Sequence, residues 1–169
     1  MITAIVQSSK PVICAVNGIA AGAGVGIGLA CDIVLAADNA KFLVSFSKIG
    51  LGPDAGLSWT LPRLIGLSRA KAMALLAEPV TAQAALDMGM IYQVCTPEAL
   101  QSTAENFAIQ LAQRPKLSMQ NIKTALHSSS THTLQQQLEL EATLQHEAGL
   151  SEDYRKNVTE FFSAKKTSA

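Results

Sequence analysis

The stretch KPVICAVNGIAAGAGVGIGLACDIVLAADNAKF, residues 10–42, decides the fold. Its first part, PVICAV (11–16), is a short apolar run rich in β-branched residues and predicts a buried strand. The glycine- and alanine-rich part after the NG turn predicts a closely packed helix from about Ala23. DIVLAAD (32–38) and AKFLVS (40–45) predict two more strands joined by a short turn. Together these segments predict an α/β core.

The rest of the chain has an almost entirely helical pattern. A loop around GLGPDAG leads into a short helix that contains Pro62. Two further helices follow, with Ser68 and Thr81 as their predicted N-caps. MIYQVC (90–95) predicts one late strand, and Thr96 caps the helix after it. Further helices are predicted over about residues 115–129, 133–149 and 151–165.

This order of elements predicts a β/α core over residues 1–95 and a helical region over residues 96–169. A sheet of three or four strands is small for the amount of helix that follows it. Because sheets and helices must cover each other's apolar faces, the pattern indicates the later part of a larger α/β fold.

The composition is that of an ordinary globular protein. Of the 169 residues 49% are hydrophobic and 15% are charged, and the 13 basic side chains balance 13 acidic ones. With no basic stripe to neutralise phosphates, we expect no nucleic-acid partner.

The cysteines and histidines show no metal-binding pattern. Cys14, Cys31 and Cys95 are far apart and form no CxxC pair, and the histidines lack ligand spacing. We therefore expect free thiols and no metal. The N-terminus lacks a signal-peptide pattern, and the apolar stretch 19–37 is interrupted by glycines and Asp32, so we expect a cytoplasmic protein that makes no membrane contact.

The glycine run allows two interpretations once nucleotide binding is set aside. A GxGxxG motif that starts at Gly22 or Gly24 would need a third glycine at Ile27 or Leu29, so neither register fits. The run could instead present backbone N–H groups at a helix N-terminus to a developing oxyanion. It could equally serve close packing of the helix, and the local pattern leaves both open.

Several linked motifs resemble the crotonase superfamily (enoyl-CoA hydratase/isomerase). They are the stretch 10–42, then FSKIGLGPDAGLSWTLPRLIG, then AALDMGMIYQVC, in that order over nearly the whole chain. SFSKIGLGPDAGLSWTLPR (45–63) is similar to the AFSKxGLxPDxGGxWLLPR pattern typical of the 1,2-epoxyphenylacetyl-CoA isomerase-like branch. The resemblance implies a crotonase-like (ClpP/crotonase) spiral of ββα units with a C-terminal helical region.

The resemblance also implies the site. The substrate is an acyl-CoA thioester whose oxygen lies between two backbone N–H groups, one of which falls here at Ala23. The other belongs to an earlier A-x-G-x-D-like segment, and since the chain starts at Met1 after that point, we expect an N-terminally truncated fold. A longer chain or a neighbouring chain would then supply the second donor. Substrate-binding positions are implied at Gly22, Gly24, Phe46, Ile49, Gly50, Leu51 and Trp59.

The two glutamates of hydratases in this family are absent. The corresponding positions are Gly26 and Phe46, and neither side chain can exchange a proton. Adding water across a double bond needs one group to activate water and another to deliver a proton. Hydratase activity by that route is therefore disfavoured, although it stays an alternative.

Asp54 is the remaining candidate for acid–base chemistry. Without the resemblance, an aspartate after Pro53 is an ordinary turn residue. The resemblance implies that the carboxylate faces the acyl chain. We therefore predict that Asp54 shuttles a proton within an enoyl-CoA-like substrate. Phe46, Ile49 and other apolar neighbours would desolvate the acid and make it a better base. In dehalogenase relatives the same position carries a nucleophile, but no histidine lies near it in sequence.

The remaining expectations concern partners. The resemblance implies that Lys166 is the C-terminal basic residue that reaches the CoA phosphates. It could equally be part of a frayed, charged C-terminal tail without a ligand. The resemblance implies a homotrimer or a hexamer built through residues 96–169. Coenzyme A is part of the substrate, and no separate cofactor is implied. The alternative without catalysis is a subunit that binds acyl-CoA or has only a structural role.

Overall fold

The computed structural model describes residues 1–167, with the side chains of residues 1–161. The chain divides into two compact units, Met1–Gln110 and Leu111–Ala169. In chain order the elements that begin in the first unit are α1 (Ile2–Val6), β1 (Ile13–Val16), β2 (Ile19–Ala21), α2 (Ala23–Leu29), β3 (Ile33–Ala37), β4 (Lys41–Leu43), a 3₁₀ helix (Phe46–Ile49), α3 (Leu57–Ile65), α4 (Leu67–Leu76), β5 (Val80–Thr81), α5 (Ala82–Asp87), β6 (Gln93–Cys95) and α6 (Pro97–Ala112).

The first unit is built from two successive ββα repeats, β1–β2–α2 and β3–β4–α3. Each repeat gives its first strand to one sheet and its second strand to another. β1 and β3 are parallel with Ile13 opposite Ile33, and β2 and β4 are parallel with Ala20 opposite Phe42. β6 extends the first sheet beside β3, and β5 closes the second sheet antiparallel to β4. This is the predicted spiral of ββα units.

The core of this unit lies between the sheets and the helices that follow them. The largest fully buried side chains are those of Phe42, Leu35, Leu57, Val25 and Val44. They come from α2, β3, β4, the residue after β4 and α3, so both repeats contribute to a single core. Burying side chains of this size is worth about 1.5–3 kcal/mol each, which makes this cluster the main stabilising contribution to the spiral.

The two strands predicted over 32–38 and 40–45 are present as β3 and β4, which belong to different sheets and do not pair with each other. Two short strands were not predicted, and one predicted cap is wrong. The short strands β2 and β5 were not predicted, since three small residues and a two-residue strand carry no periodic signal. Ser68 is not an N-cap, because α4 begins at Leu67 after Gly66, whose φ of 78° ends α3.

The caps at Thr81 and Thr96 are confirmed. The Thr81 hydroxyl accepts a hydrogen bond from the Ala84 N–H at 3.2 Å, and the Thr96 hydroxyl accepts one from the Ala99 N–H at 3.4 Å. Each satisfies a backbone donor that the first turn of a helix leaves without an intrahelical partner.

The second unit is helical, as predicted, with α7 (Lys116–Ser128), α8 (Leu134–Gly149) and α9 (Glu152–Thr167). The Asn121 side-chain amide donates to the Leu144 carbonyl at 3.0 Å, and the Gln137 amide donates to the Ala125 carbonyl at 3.0 Å. These bonds join α7 to α8. Among residues 1–167, no helix is both long and apolar enough to cross a bilayer.

Gly22 makes the turn from β2 into α2. Its backbone has φ 54° and ψ −123°, a conformation that residues with a side chain rarely adopt. Its N–H donates to the Leu43 carbonyl at 2.9 Å, which continues the pairing of β2 with β4 up to the N-cap of the helix. The start of α2 is therefore fixed relative to β4.

We expect Gly22→Ala to lower the free energy of unfolding by about 1–3 kcal/mol, because alanine is strained in this conformation. Gly18→Ala is the matched control, since its backbone lacks a positive φ and an added Cβ would meet no atom within 4 Å. That control should change stability by no more than about 0.5 kcal/mol. Urea unfolding measures both variants, and equal losses would contradict the strain argument.

Candidate active site

Two of the predicted substrate-binding positions, Gly22 and Phe46, lie where parallel strands β2 and β4 end. β2 runs into Gly22 and α2, and β4 runs into Ser45 and the 3₁₀ helix. Carboxyl ends of parallel strands lie at one edge of a sheet, so these two connections meet. A Cβ built on Gly22 would lie 3.7 Å from Phe46 Cζ and 3.8 Å from Ser45 Oγ. The glycine turn thus packs against the predicted substrate-binding residue Phe46.

Ala23 is the first residue of α2, so its N–H has no intrahelical partner. Gly22 provides no side-chain cap, and a Cβ at Gly24 would meet nothing within 4 Å. Packing therefore does not require glycine at position 24, and there is space beside the backbone. An open, uncapped helix start can accept a negative oxygen near the Ala23 N–H.

The loop of residues 50–56, between the 3₁₀ helix and α3, is the second part of the site and is called the Asp54 loop. Asp54 is exposed, and its carboxylate has no hydrogen bond or ion pair within the described part of the chain. Its carbonyl accepts from the Leu57 N–H at 2.9 Å, which ties the loop to the start of α3. Ala55 and Gly56 follow with φ of 51° and 73°. A left-handed alanine costs about 1–2 kcal/mol, and backbone strain of this kind clusters at functional sites.

The Asp54 loop lies directly against α2. A Cβ built on Gly26 would lie 2.7 Å from the Ala55 carbonyl oxygen and 2.8 Å from Ala55 Cβ. Only a residue without a side chain allows this approach. The contact brings the loop that carries Asp54 onto the helix whose first residue is Ala23. Sequence reasoning missed the role of Ala55, because nothing in the sequence signals a contact between positions so far apart.

The structure also shows what occupies the positions of the two hydratase glutamates. Gly26 is covered by Ala55, and Phe46 is a buried side chain of the core. Neither side chain can exchange a proton, and a glutamate at position 26 would require the Asp54 loop to move.

One prediction about the surroundings of Asp54 is wrong for the described chain. Ile49, Leu51 and Trp59 are 72%, 60% and 49% exposed, and Gly50 is exposed beside them. They present apolar surface to solvent and do not desolvate the acid. Trp59 is partly covered by Arg63, whose guanidinium carbon lies 3.9 Å from the ring centroid and whose Nη1 donates to the Trp59 carbonyl at 2.9 Å.

An apolar cavity of about 150 Å³ adjoins the loop at Pro53. It lies between α3 and α4, and the polar residues Ser58 and Lys71 are part of its lining. Ligand pockets typically enclose about 300–1,000 Å³, so this cavity alone is too small for an acyl-CoA. The predicted phosphate ligand Lys166 has its side chain outside the described residues.

The chain belongs to the enoyl-CoA hydratase/isomerase family, whose model it matches over residues 1–168. It is 49% identical over 154 residues to the 1,2-epoxyphenylacetyl-CoA isomerase of Escherichia coli, covering 91% of this chain and 59% of that protein. It is 42% identical over 161 residues to a probable enoyl-CoA hydratase of Rhodobacter capsulatus, covering 95% and 63%.

The fold is that of the same family. The crystal structure of a putative enoyl-CoA hydratase/isomerase from Mycobacterium abscessus superimposes with a TM-score of 0.94 at 36% identity, covering 96% of this chain and 63% of that one. The chain therefore spans about three-fifths of the length of its relatives. The predicted family and the crotonase-like fold are confirmed.

We expect Gly26→Ala to destabilise the first unit by about 1–3 kcal/mol, because the new methyl group overlaps Ala55. Gly24→Ala lies in the same helix with open space around it, so it should be neutral or stabilise by up to about 1 kcal/mol, as alanine is the better helix former. Urea unfolding compares the two. If both variants were equally stable, the contact between α2 and the loop would be looser than described.

Proposed function

We propose that this chain carries out isomerisation of an acyl-CoA thioester, with Asp54 as the general acid and base and Ala23 as an oxyanion donor. The observation that carries the proposal is the packing of the Asp54 loop on α2 at Gly26, where hydratases of the family place an acid. One carboxylate near one oxyanion site is suited to moving a proton within a substrate. Adding water would require a second acid–base group.

The first step is enolate formation. A thioester acidifies its neighbouring C–H bonds because the charge that forms moves onto the carbonyl oxygen. The Ala23 N–H at the positive end of α2 would stabilise that oxygen, and a preorganised donor of this type contributes about 3–4 kcal/mol. We place the second donor in the part of the family fold that residues 1–169 do not span, or in a neighbouring chain.

The second step is proton return. Asp54, with no partner for its carboxylate in the described chain, would take a proton at one carbon and give it back at another. The double bond then moves, or a strained epoxide ring opens, and the atomic composition of the substrate stays the same. The 49% identity to an epoxyphenylacetyl-CoA isomerase supports this assignment.

Exposed apolar residues beside the loop support binding of an acyl group. Ile49, Leu51 and Trp59 would be covered by the substrate, together with Gly50 and the glycine turn Gly22–Gly24. Phe46 is already buried, and it would contribute to the site by packing against Gly22. Covering the exposed residues would also exclude water from the surroundings of Asp54. The exposure in the described chain fits a site that becomes dry only when substrate binds.

Hydration of an enoyl-CoA is the second candidate, because relatives include a probable enoyl-CoA hydratase at 42% identity. The glycine at position 26 and the phenylalanine at position 46 count against it, since neither can activate water. A subunit that binds acyl-CoA without turnover is the third. Binding of CoA at Lys166, assembly as a homotrimer or hexamer and a cytoplasmic location stay predictions.

We expect Asp54→Asn to lower the isomerisation rate of an enoyl-CoA about 10²–10⁴-fold, the usual contribution of a positioned acid–base group. The amide keeps the shape of the side chain but cannot take a proton. Asp38→Asn is the matched control, because Asp38 is an exposed acid at the end of β3, away from the loop. It should leave the rate unchanged.

Ultraviolet absorbance follows the change in conjugation with the thioester, and calorimetry measures binding of a non-reactive acyl-CoA. Unchanged binding with lost turnover in Asp54→Asn supports the proposal. Full turnover in Asp54→Asn would remove Asp54 from the mechanism. Tight binding by the natural sequence without any turnover would favour the binding-subunit alternative.

A further inference from the structure

Two cysteines that the proposed chemistry does not use, Cys14 and Cys31, lie on segments of the first unit that are hydrogen-bonded to each other. The segments that carry them are fixed by three hydrogen bonds around Val12. Its N–H donates to the Asp32 carboxylate at 2.7 Å, and its carbonyl accepts from the N–H groups of Asp32 and Ile33 at 2.9 and 3.3 Å. Cys31 directly precedes Asp32, and Cys14 lies two residues after Val12 in β1.

Both sulfur atoms lie against the last turn of α2. Cys31 Sγ donates to the Ile27 carbonyl at 3.5 Å, and a Cβ built on Gly28 would lie 3.5 Å from Cys14 Sγ. Ile27 and Gly28 are neighbours in the chain, so the two thiols approach the same point from β1 and from the end of the helix. The Cys31 side chain lies near enough to the Cys14 thiol to lower its pKa. Both side chains are half-buried and free of disulfides.

We propose that Cys14 and Cys31 form a dithiol modification site, which a peroxide converts into an intrachain disulfide. This inference is independent of the proposed isomerase activity. It rests on the packing of the two thiols on α2, and its test requires no substrate.

The chemistry balances with hydrogen peroxide as the oxidant. One thiolate attacks a peroxide oxygen, the O–O bond breaks, and a sulfenic acid and one water are formed. The second thiolate attacks the sulfenic sulfur, an S–S bond forms, the S–O bond breaks, and a second water leaves. The peroxide gains two electrons and each sulfur gives one. Both protons end in water.

Burial raises the pKa of the Cys14 thiol, and the nearby Cys31 side chain works in the opposite direction. The protonated thiol is therefore the resting form, and we expect slow oxidation that needs excess peroxide. The disulfide would close the segment from Cys14 to Cys31, which contains β2 and α2. Closing a loop restricts the unfolded chain, so oxidation should raise the midpoint of thermal unfolding.

Cys95 is an internal control. It pairs with Ala37 in the strand register, whereas Cys14 pairs with Val34, and β3 lies between the two strands. Cys14 and Cys95 are therefore two strand spacings apart, about 10 Å, and the offset of three residues along the strands adds about 10 Å, so Cys95 cannot reach Cys14 in the folded chain. Its sulfur accepts instead from the Gln93 amide at 3.7 Å.

The experiment treats the folded chain of 169 residues with hydrogen peroxide and maps its disulfides by mass spectrometry. We expect loss of the mass of two hydrogen atoms, one peptide pair that joins Cys14 to Cys31, and a higher unfolding midpoint that dithiothreitol reverses. Cys95→Ala should behave like the natural sequence, and Cys14→Ala and Cys31→Ala should give no intrachain disulfide. In urea the natural sequence should give mixed pairings, which shows that the fold directs the selectivity.

Three outcomes would overturn the proposal. The first is sulfinic or sulfonic acid at Cys14 or Cys31 without a link between them. The second is a disulfide that includes Cys95 in the folded chain, and the third is a midpoint that does not rise on oxidation. The peptide map of the natural sequence decides the matter even if a cysteine variant fails to fold.

Discussion

Parallel pairing of successive ββα repeats is the constraint on which the rest of the first unit depends. β1 pairs with β3 and β2 pairs with β4, so equivalent connections leave the sheets at the same edge. The connection after β2 is the glycine turn into α2, and the one after β4 leads to the Asp54 loop. The pairing therefore brings together segments that are distant in the chain. The position of the candidate site at this edge is a consequence of the repeat itself.

Absence of a side chain at Gly26 then determines which part of the loop reaches α2. Ala55 occupies the space where a Cβ would be, in a left-handed conformation that costs free energy. Position 26 therefore provides close packing and no acid, and in the proposed function Asp54 is the acid that acts beside the helix. Its free carboxylate and exposed apolar neighbours suit a site completed by substrate.

Much of this could be predicted from the sequence, because the strong signals are local. The apolar run of β1, the small-residue helix α2 and the caps Thr81 and Thr96 are each defined by neighbouring residues. The partners of the strands are not local, so the membership of β3 and β4 in different sheets was missed. The contact of Gly26 with Ala55 and the solvent exposure of Ile49 and Leu51 depend on packing and could not be predicted.

The most direct test of Asp54 as a proton shuttle is isotope exchange in deuterium oxide. The unsubstituted protein and the Asp54→Asn variant are incubated with an enoyl-CoA, and the masses of the CoA thioesters are measured by mass spectrometry. We predict deuterium bound to carbon in the product of the natural sequence, no gain of water, and no exchange with Asp54→Asn. A hydroxyacyl-CoA product that forms equally fast with both proteins would contradict the central claim.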